Sequence, residues 1–247
     1  MSALAAAVLP HGAVIVADRR MIDGNTLARK SDALKIATVA PRACMTGNGA
    51  LAVAGASALA VARFLREREA LPSGKGWAHD LAIKLNHLRD VLHGNGVLQR
   101  ADILALGGVD DEGAGTLAAF YASDREIGST LKPDVMRGRQ HIATVAGADR
   151  VMEEARDLEG REALLHIASG FAACVRARAG MIFRDGIDPW SAVSSECDAA
   201  LIDAGGATFL GFDAAGNCTE ETMRGVASRE VMLDGRSGRP PRVELVD

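Results

Sequence analysis

The first 18 residues constrain the fold of this chain more than any other stretch. Two short apolar runs, at residues 4–9 and 13–17, flank the tripeptide Pro10-His11-Gly12. Proline and glycine between two such runs are typical of a turn, so the sequence predicts a β-hairpin here. The second run ends on Asp18, which places a carboxylate where a buried strand stops. Because a hairpin returns the chain past its own start, we expect Asp18 to lie near residue 2.

Ser2 is a candidate nucleophile. Met1 is followed by this small residue, and removal of Met1 would leave Ser2 with a free α-amine. Such an amine titrates near about 7.7–8.0, so it can act as a base at neutral pH. A hydroxyl whose proton is taken by the amine of the same residue is one form of nucleophilic catalysis. By itself Ser2 carries little weight, because serine is common at the second position.

Four segments resemble the start of a proteasome-type β subunit, and equally the bacterial peptidase rings that pair with a hexameric unfoldase. They are GAVIVADRR at 12–20, GNT at 24–26, LKI at 34–36 and TG at 46–47. The family uses an N-terminal threonine as nucleophile, with an aspartate, a lysine and a glycine N–H around it. The resemblance therefore implies Ser2 as nucleophile, Asp18 and Lys35 as its charged neighbours, and Gly47 as the oxyanion donor.

The same resemblance implies a fold, an activity and an assembly. The fold is a four-layer αββα sandwich of the α+β class, with two antiparallel sheets flanked by helix pairs. The activity is that of an N-terminal-nucleophile (Ntn) hydrolase, a relative of the threonine peptidases, which cleaves peptide or amide bonds through an acyl-enzyme without a cofactor or metal. The partners are further copies of the chain, as in a ring, a peptide or protein substrate, and an ATP-dependent unfoldase.

The chain departs from the family pattern at two places. Serine replaces the N-terminal threonine, and a family Gly-Ser-Gly turn is matched by Ala146-Gly147-Ala148, which has no hydroxyl. An aspartate and a serine that orient the N-terminus in the family have Asp188 and Ser194 as candidate counterparts here. These departures argue against full peptidase activity.

Asp18 and Lys35 also make chemical sense as a pair. An ammonium near the nucleophile lowers the pKa of the neighbouring α-amine, and a carboxylate compensates the buried positive charge. The alternatives are an ordinary salt bridge at a strand end, or a pairing that uses Lys30 or Asp32 instead. The segment from Gly47 to Ala52 also fits a GxGxxA dinucleotide-binding loop, which would require a parallel strand after the next helix.

The remaining elements follow from periodicity and turn signals. We predict helices over 50–69, 77–92, 149–158 and 161–183, strands at 42–46, 101–109, 116–122, 142–145, 197–202, 208–212 and 218–223, an irregular segment at 127–140, and an extended tail at 235–247. Strand groups separated by helix pairs favour antiparallel sheets covered by helices. We expect one domain spanning 1–247.

Composition excludes several classes of function. The net charge of −4 gives no sign of a basic surface for nucleic acid. The sequence contains no run of 18 apolar residues, so no membrane-spanning helix is predicted. Four cysteines show no CxxC spacing, which predicts neither a zinc site nor a disulfide framework and favours a cytoplasmic location. Arg19 and Arg20 are interpreted as solvated or at a subunit contact.

Two other functions remain open. The chain could be a catalytically silent assembly subunit, like the noncatalytic subunits of the same family. It could also be an amidase or acyl-transfer enzyme that uses the same nucleophile on a small substrate.

Overall fold

The computed structural model describes residues 3–22, 29–30, 35–48, 51–74, 76–94, 103–122, 130–184 and 193–219. In chain order, the elements of this part are β1 (Leu4–Leu9), β2 (Gly12–Asp18), β3 (Met21–Ile22), β4 (Arg29–Lys30), β5 (Ala37–Ala40), β6 (Ala43–Gly47), α1 (Leu51–Phe64), α2 (Gly76–Gly94), β7 (Ile103–Val109), β8 (Gly115–Ala122), β9 (Leu131–Arg137), β10 (Gln140–Ala143), α3 (Ala148–Glu154), α4 (Gly160–Arg184), β11 (Cys197–Asp203), β12 (Gly206–Phe212) and β13 (Cys218–Thr219).

The strands form two main sheets. One has the order β10-β1-β2-β11-β12-β13 and the other the order β5-β6-β7-β8-β9, while β3 and β4 form a small separate pair. Every strand pair is antiparallel. The predicted α+β class, with two antiparallel sheets and helices grouped in pairs along the chain, is confirmed at this level.

The predicted N-terminal hairpin is also confirmed. β1 pairs with β2 from Leu4 opposite Ala17 to Leu9 opposite Gly12, so Asp18 lies at the end where the chain begins. Every residue of both strands is buried. Both faces of this hairpin are therefore covered by protein, which is why its sequence is apolar without alternation.

Three buried clusters form the core of the described part. Val14 and Val16 of β2 pack in the cluster that contains α3 and α4, whereas Ile15 of the same strand packs in a cluster shared by both sheets. Alternate residues of a strand point to opposite faces, which explains this division. The third cluster joins α1 and α2 to the sheet of β5–β9. The arrangement is compatible with a layered sandwich.

The prediction of an irregular segment at 127–140 is wrong for its second half. Residues 131–137 form β9, which pairs with β8 along its whole length. The sequence Leu-Lys-Pro-Asp-Val-Met-Arg does not look like a strand, because three charged residues and a proline are unusual in one. Proline and charge are tolerated here because β9 is the edge strand of its sheet.

Several boundaries also differ from the prediction. α1 ends at Phe64 instead of residue 69, α3 ends at Glu154 instead of residue 158, and β10 begins two residues early, at Gln140. Residues 66–69 are exposed, so they have no apolar face that would hold them in the helix. The predicted residues 220–223 and the tail at 235–247 lie outside the described part. Within that part, none of the helices is long and apolar enough to cross a bilayer.

Candidate functional site

A buried ion pair joins Asp18 and Lys35. The Lys35 ammonium donates to Asp18 Oδ1 over 2.8 Å, and the two side chains are only 5% and 0% exposed. Asp18 is the last residue of β2, and Lys35 lies two residues before β5. The predicted pairing of these two residues is therefore present. The side chain of Lys30 and the whole of Asp32, the alternative partners, lie outside the described residues.

Asp18 also binds the backbone of two distant segments and of Arg20, two residues further on. Its Oδ1 accepts from the Ala3 amide at 2.9 Å, and its own amide donates to the Ala3 carbonyl at 3.1 Å. Its Oδ2 accepts from the Arg20 amide at 3.0 Å and the Ser194 amide at 3.3 Å. One carboxylate thus ties the residue next to Ser2 in sequence to Lys35 and to the segment before β11.

The environment of Lys35 lowers the pKa of its ammonium below the usual value for lysine. Burial is the main cause, since desolvation disfavours the charged form, and the positive charge of Arg20 acts in the same direction. The charge of Asp18 and its hydrogen bond oppose this shift. A lysine whose pKa is lowered by burial is a feature of many functional sites, and structural ion pairs share it.

Thr144 is a site residue that sequence reasoning missed. Its hydroxyl accepts from the Leu4 amide at 2.9 Å and donates to the Leu4 carbonyl at 3.2 Å, while its own amide donates to the same carbonyl at 2.9 Å. Thr144 follows directly after β10. The contact spans 140 positions in sequence, so the only signal available beforehand was a hydroxyl residue within the predicted strand at 142–145.

Gly47 ends β6; its neighbour Thr46 contacts the Lys35 backbone, and its neighbour Asn48 contacts β7. The Thr46 hydroxyl donates to the Lys35 carbonyl at 2.9 Å, and the Asn48 side chain accepts from the Ile103 amide at 2.8 Å. A Cβ at residue 47 would lie 2.6 Å from Leu104 Cδ2 and 3.3 Å from the Ile103 carbonyl oxygen. A larger residue at this position would require the Leu104 side chain to move, so the packing favours glycine independently of any role for its N–H.

The rival dinucleotide-binding interpretation of residues 47–52 is wrong. The next strand of this sheet after α1 and α2 is β7, which runs antiparallel to β6. A dinucleotide-binding fold needs a parallel strand there, because the binding crevice forms where parallel strands separate.

The other predicted site residues have mixed outcomes. Ser2 and Asp188 lie outside the described residues. Ser194 is buried, its amide contacts Asp18, and its hydroxyl accepts from the Glu196 amide at 3.1 Å. Gly147, in the turn Ala146-Gly147-Ala148, has a φ of +92°, a conformation that favours glycine.

Arg19 and Arg20 were predicted to be solvated or at a subunit contact; both are half-buried, so they are not fully solvated, and the subunit contact stays a prediction. Arg19 Nε donates to Asp198 Oδ1 at 2.8 Å, and its side chain is 23% exposed. Arg20 is half-buried, and its charge acts on Lys35. Both arginines follow Asp18 directly, so they belong to the same end of the sheet.

A separate cavity of about 670 Å³ lies at the opposite end of β1 and β2. The hairpin turn at Pro10 and His11 lines it, together with Arg139, Arg161 and Asp203. Arg139 is already used, since its guanidinium donates to the carbonyls of residues 155 and 158 at 2.8 and 2.6 Å. Among the described residues, no group of three or more His, Cys, Asp or Glu side chains could hold a metal ion.

Comparison with known proteins gives no family for this chain. Neither a scan against protein-family models nor a search of curated proteins returned a match.

Proposed function

We propose that this protein is an Ntn hydrolase of the proteasome type, which cleaves amide bonds with Ser2 as nucleophile. The observation that carries the proposal is the buried Asp18–Lys35 pair bonded to Ala3, the residue that follows Ser2. A buried salt bridge adds little to the stability of a protein, because the desolvation of both charges offsets most of their attraction. A charged pair beside the first strand is instead what an amine-activated hydroxyl requires.

In the proposed reaction, the Ser2 hydroxyl attacks the carbonyl carbon of the amide, and the free Ser2 amine takes the hydroxyl proton. The Gly47 N–H donates to the oxyanion that forms on the carbonyl oxygen. The carbon–nitrogen bond then breaks, and the proton passes from the Ser2 amine to the leaving amine. Water hydrolyses the ester, which returns Ser2 to its starting form. The positive charge of Lys35 keeps the α-amine unprotonated, and Asp18 holds Lys35 in place.

The proposal extends to the architecture and the setting. The two sheets would form the inner layers of an αββα sandwich, with α1 and α2 outside one sheet and α3 and α4 outside the other; the three core clusters support this order. Four free cysteines support residence in the reducing cytoplasm. The family resemblance supports assembly into a ring and an ATP-dependent unfoldase as partner.

Intact-mass measurement and an electrophile that bridges an N-terminal amine and hydroxyl test the proposal. We expect a chain that begins at Ser2 and carries one adduct on that residue. Ser2→Ala should abolish both the adduct and the cleavage of casein-type proteins and short acylated peptides. Ser169→Ala, on the exposed face of α4, is the matched control and should change neither. Activity that survives in Ser2→Ala, or a blocked amine at Ser2, would remove the mechanism.

One observation favours a second candidate, a catalytically silent assembly subunit. The turn at 146–148 has no hydroxyl, and the nearby Thr144 hydroxyl already bonds to the Leu4 backbone. A silent subunit would form the same assembly, measured by light scattering, yet show no adduct and no turnover. An amidase or acyl-transfer enzyme would instead show the adduct and act on short acylated peptides alone.

A further inference from the structure

The first two described residues of the chain are fixed by side chains from two different strand ends. The Ala3 amide donates to Asp18 Oδ1 at 2.9 Å, and the Leu4 amide donates to the Thr144 hydroxyl, also at 2.9 Å. Asp18 ends β2 and Thr144 follows directly after β10, so the two acceptors lie on opposite sides of β1. Each of these amides therefore bonds to a side chain where a regular ladder would supply a backbone carbonyl.

The Thr144 hydroxyl replaces one bond of the ladder between β1 and β10. Thr144 lies opposite Leu4, because the register of these strands pairs Ala5 with Ala143. In an antiparallel pair, two residues opposed in this way can exchange both backbone bonds. The Thr144 amide donates to the Leu4 carbonyl at 2.9 Å, but the return bond from the Leu4 amide goes to the hydroxyl, which also donates to the Leu4 carbonyl at 3.2 Å. The side chain thus closes the pair where the backbone bends away toward α3.

Most of β1 is held without this hydroxyl. The strand pairs with β2 along its whole length, from Leu4 to Leu9, and with β10 at residues 5–8. All six of its residues are buried. Both bonds of the Thr144 hydroxyl go to Leu4, at the N-terminal end of the strand. The contribution of Thr144 to the sheet is therefore local to the start of the chain.

We propose that Thr144 is a positioning residue for the reaction: by fixing the Leu4 backbone, it sets where the amine and hydroxyl of Ser2 lie relative to the Asp18–Lys35 pair. This inference rests on the proposed function and adds a residue to that site. The role is indirect, because the bonds that carry it end on Leu4, two residues after Ser2. Attack requires reacting atoms held about 3–3.5 Å apart, and a displacement of about 1 Å can lower the rate roughly 100-fold.

The test compares the wild type with Thr144→Val, which removes the hydroxyl at nearly constant volume, on one short acylated peptide. We expect kcat to fall roughly 10–100-fold and KM to change less than about 2-fold, because the substrate still binds while the nucleophile is misplaced. Thr144→Ser keeps the hydroxyl and should restore most of kcat. An unchanged kcat in Thr144→Val, or no recovery in Thr144→Ser, would overturn the inference.

Thr116→Val is the matched control. Thr116 is a buried threonine of β8 whose hydroxyl also bonds within its own sheet, to Asp110 Oδ2 at 3.3 Å. It belongs to the sheet of β5–β9, beside a turn that the proposed reaction does not use. Loss of this hydroxyl should lower the melting temperature and leave kcat unchanged. An equal fall of kcat in both variants would overturn the inference, because it would assign the loss to stability instead of position.

Amide hydrogen exchange separates this inference from the proposed function. In Thr144→Val the Leu4 amide should exchange faster than in the wild type, whereas the amide of Ala6, which pairs with Ile142 on the same side of β1, should keep its rate. An unchanged rate at Leu4 would overturn the inference even if residue 2 carries the adduct. A wild type with neither adduct nor turnover would contradict the proposed function, and faster exchange at Leu4 alone would still leave Thr144 as the residue that fixes the start of the chain.

Discussion

Two buried aspartates, Asp18 and Asp110, are alike at first sight: Asp18 is the last residue of β2, and Asp110 follows directly after β7 in the other sheet. Both are 0% exposed, both accept hydrogen bonds from backbone amides, and both form an ion pair. Asp110 pairs with Arg137 at 2.6 Å, but that side chain is 41% exposed, against 5% for Lys35. The amides that Asp110 accepts from belong to Glu112 and Ala114, within its own turn.

The difference lies in how far the contacts reach along the chain. Asp110 caps the β7–β8 turn, and Thr116 adds a hydroxyl contact at 3.3 Å from six residues away. Asp18 instead binds groups from residues 3, 35 and 194, up to 176 positions away. Apart from Arg137 on β9, the partners of Asp110 lie within its own hairpin, whereas those of Asp18 include distant segments that meet only in the folded protein. Four predictions would break or sharpen this distinction.

The largest effect should be on activity. Given the proposed function, Lys35→Met should lower kcat/KM about 100-fold or more, because it removes a preorganised charge from the reaction centre. Arg137→Met, the matched change at the other aspartate, should leave kcat/KM unchanged. Steady-state kinetics on one peptide, with circular dichroism to verify folding, makes the measurement. Equal losses in both variants would end the distinction between site and turn.

The second-largest effect should be on stability, which should fall more in Asp18→Asn than in Asp110→Asn. Asp18→Asn leaves Lys35 buried without its counter-charge and should lower the free energy of unfolding by about 3–5 kcal/mol. Asp110→Asn keeps an acceptor for its turn amides and releases an arginine that water can reach, so we expect about 1–3 kcal/mol. Urea denaturation gives both values. Asp111→Asn, half-exposed in the same turn, is the control and should have little effect. The reverse order would show that the turn aspartate is the more important one.

The dependence of stability on pH should follow Lys35. Its pKa in the folded protein is lowered from 10.5, so between these two values the unfolded chain binds more protons than the folded one. The free energy of unfolding of the wild type relative to Lys35→Met should therefore rise with pH in that interval. The difference between the wild type and Arg137→Met should stay flat, because a guanidinium remains protonated throughout. If the difference between the wild type and Lys35→Met fell with pH instead, the pKa of Lys35 would be raised on folding, which contradicts the direction given above.

The smallest effect should be on thiol labelling. Burial raises the pKa of both Cys44 and Cys197 to about 12, so neither should react with iodoacetamide in the native protein at pH 8, whereas the exposed Cys218 should. Cys197 lies opposite Asp18 in the β2–β11 pair. Asp18→Asn should thus increase labelling of Cys197 before that of Cys44, measured by peptide mass spectrometry. Simultaneous labelling would indicate global unfolding rather than local opening.

Much of the fold could be predicted because its signals are local. The hairpin of β1 and β2 follows from two apolar runs around Pro10 and Gly12, and α4 follows from an uninterrupted periodic stretch. β9 was missed because its burial is set by the neighbouring β8 and not by its own charged sequence. The apolar residues Leu131, Pro133 and Val135 do alternate with charged ones in β9, but a proline inside the run argues against a strand unless it lies at an edge.

For the candidate site, the sequence by itself determined that Asp18 would end a buried strand beside the start of the chain, and the resemblance selected Lys35 as its partner. Only the tertiary structure decided that Thr144 clamps Leu4, that the Ser194 amide reaches Asp18, and that Arg20 keeps unpaired donors while Arg19 does not. The physical reason is the separation in sequence between the interacting residues. A strand and its turn are specified by residues a few positions apart, whereas the partners of a buried charge are determined by which distant backbone groups the packed sheets bring within hydrogen-bond distance of it.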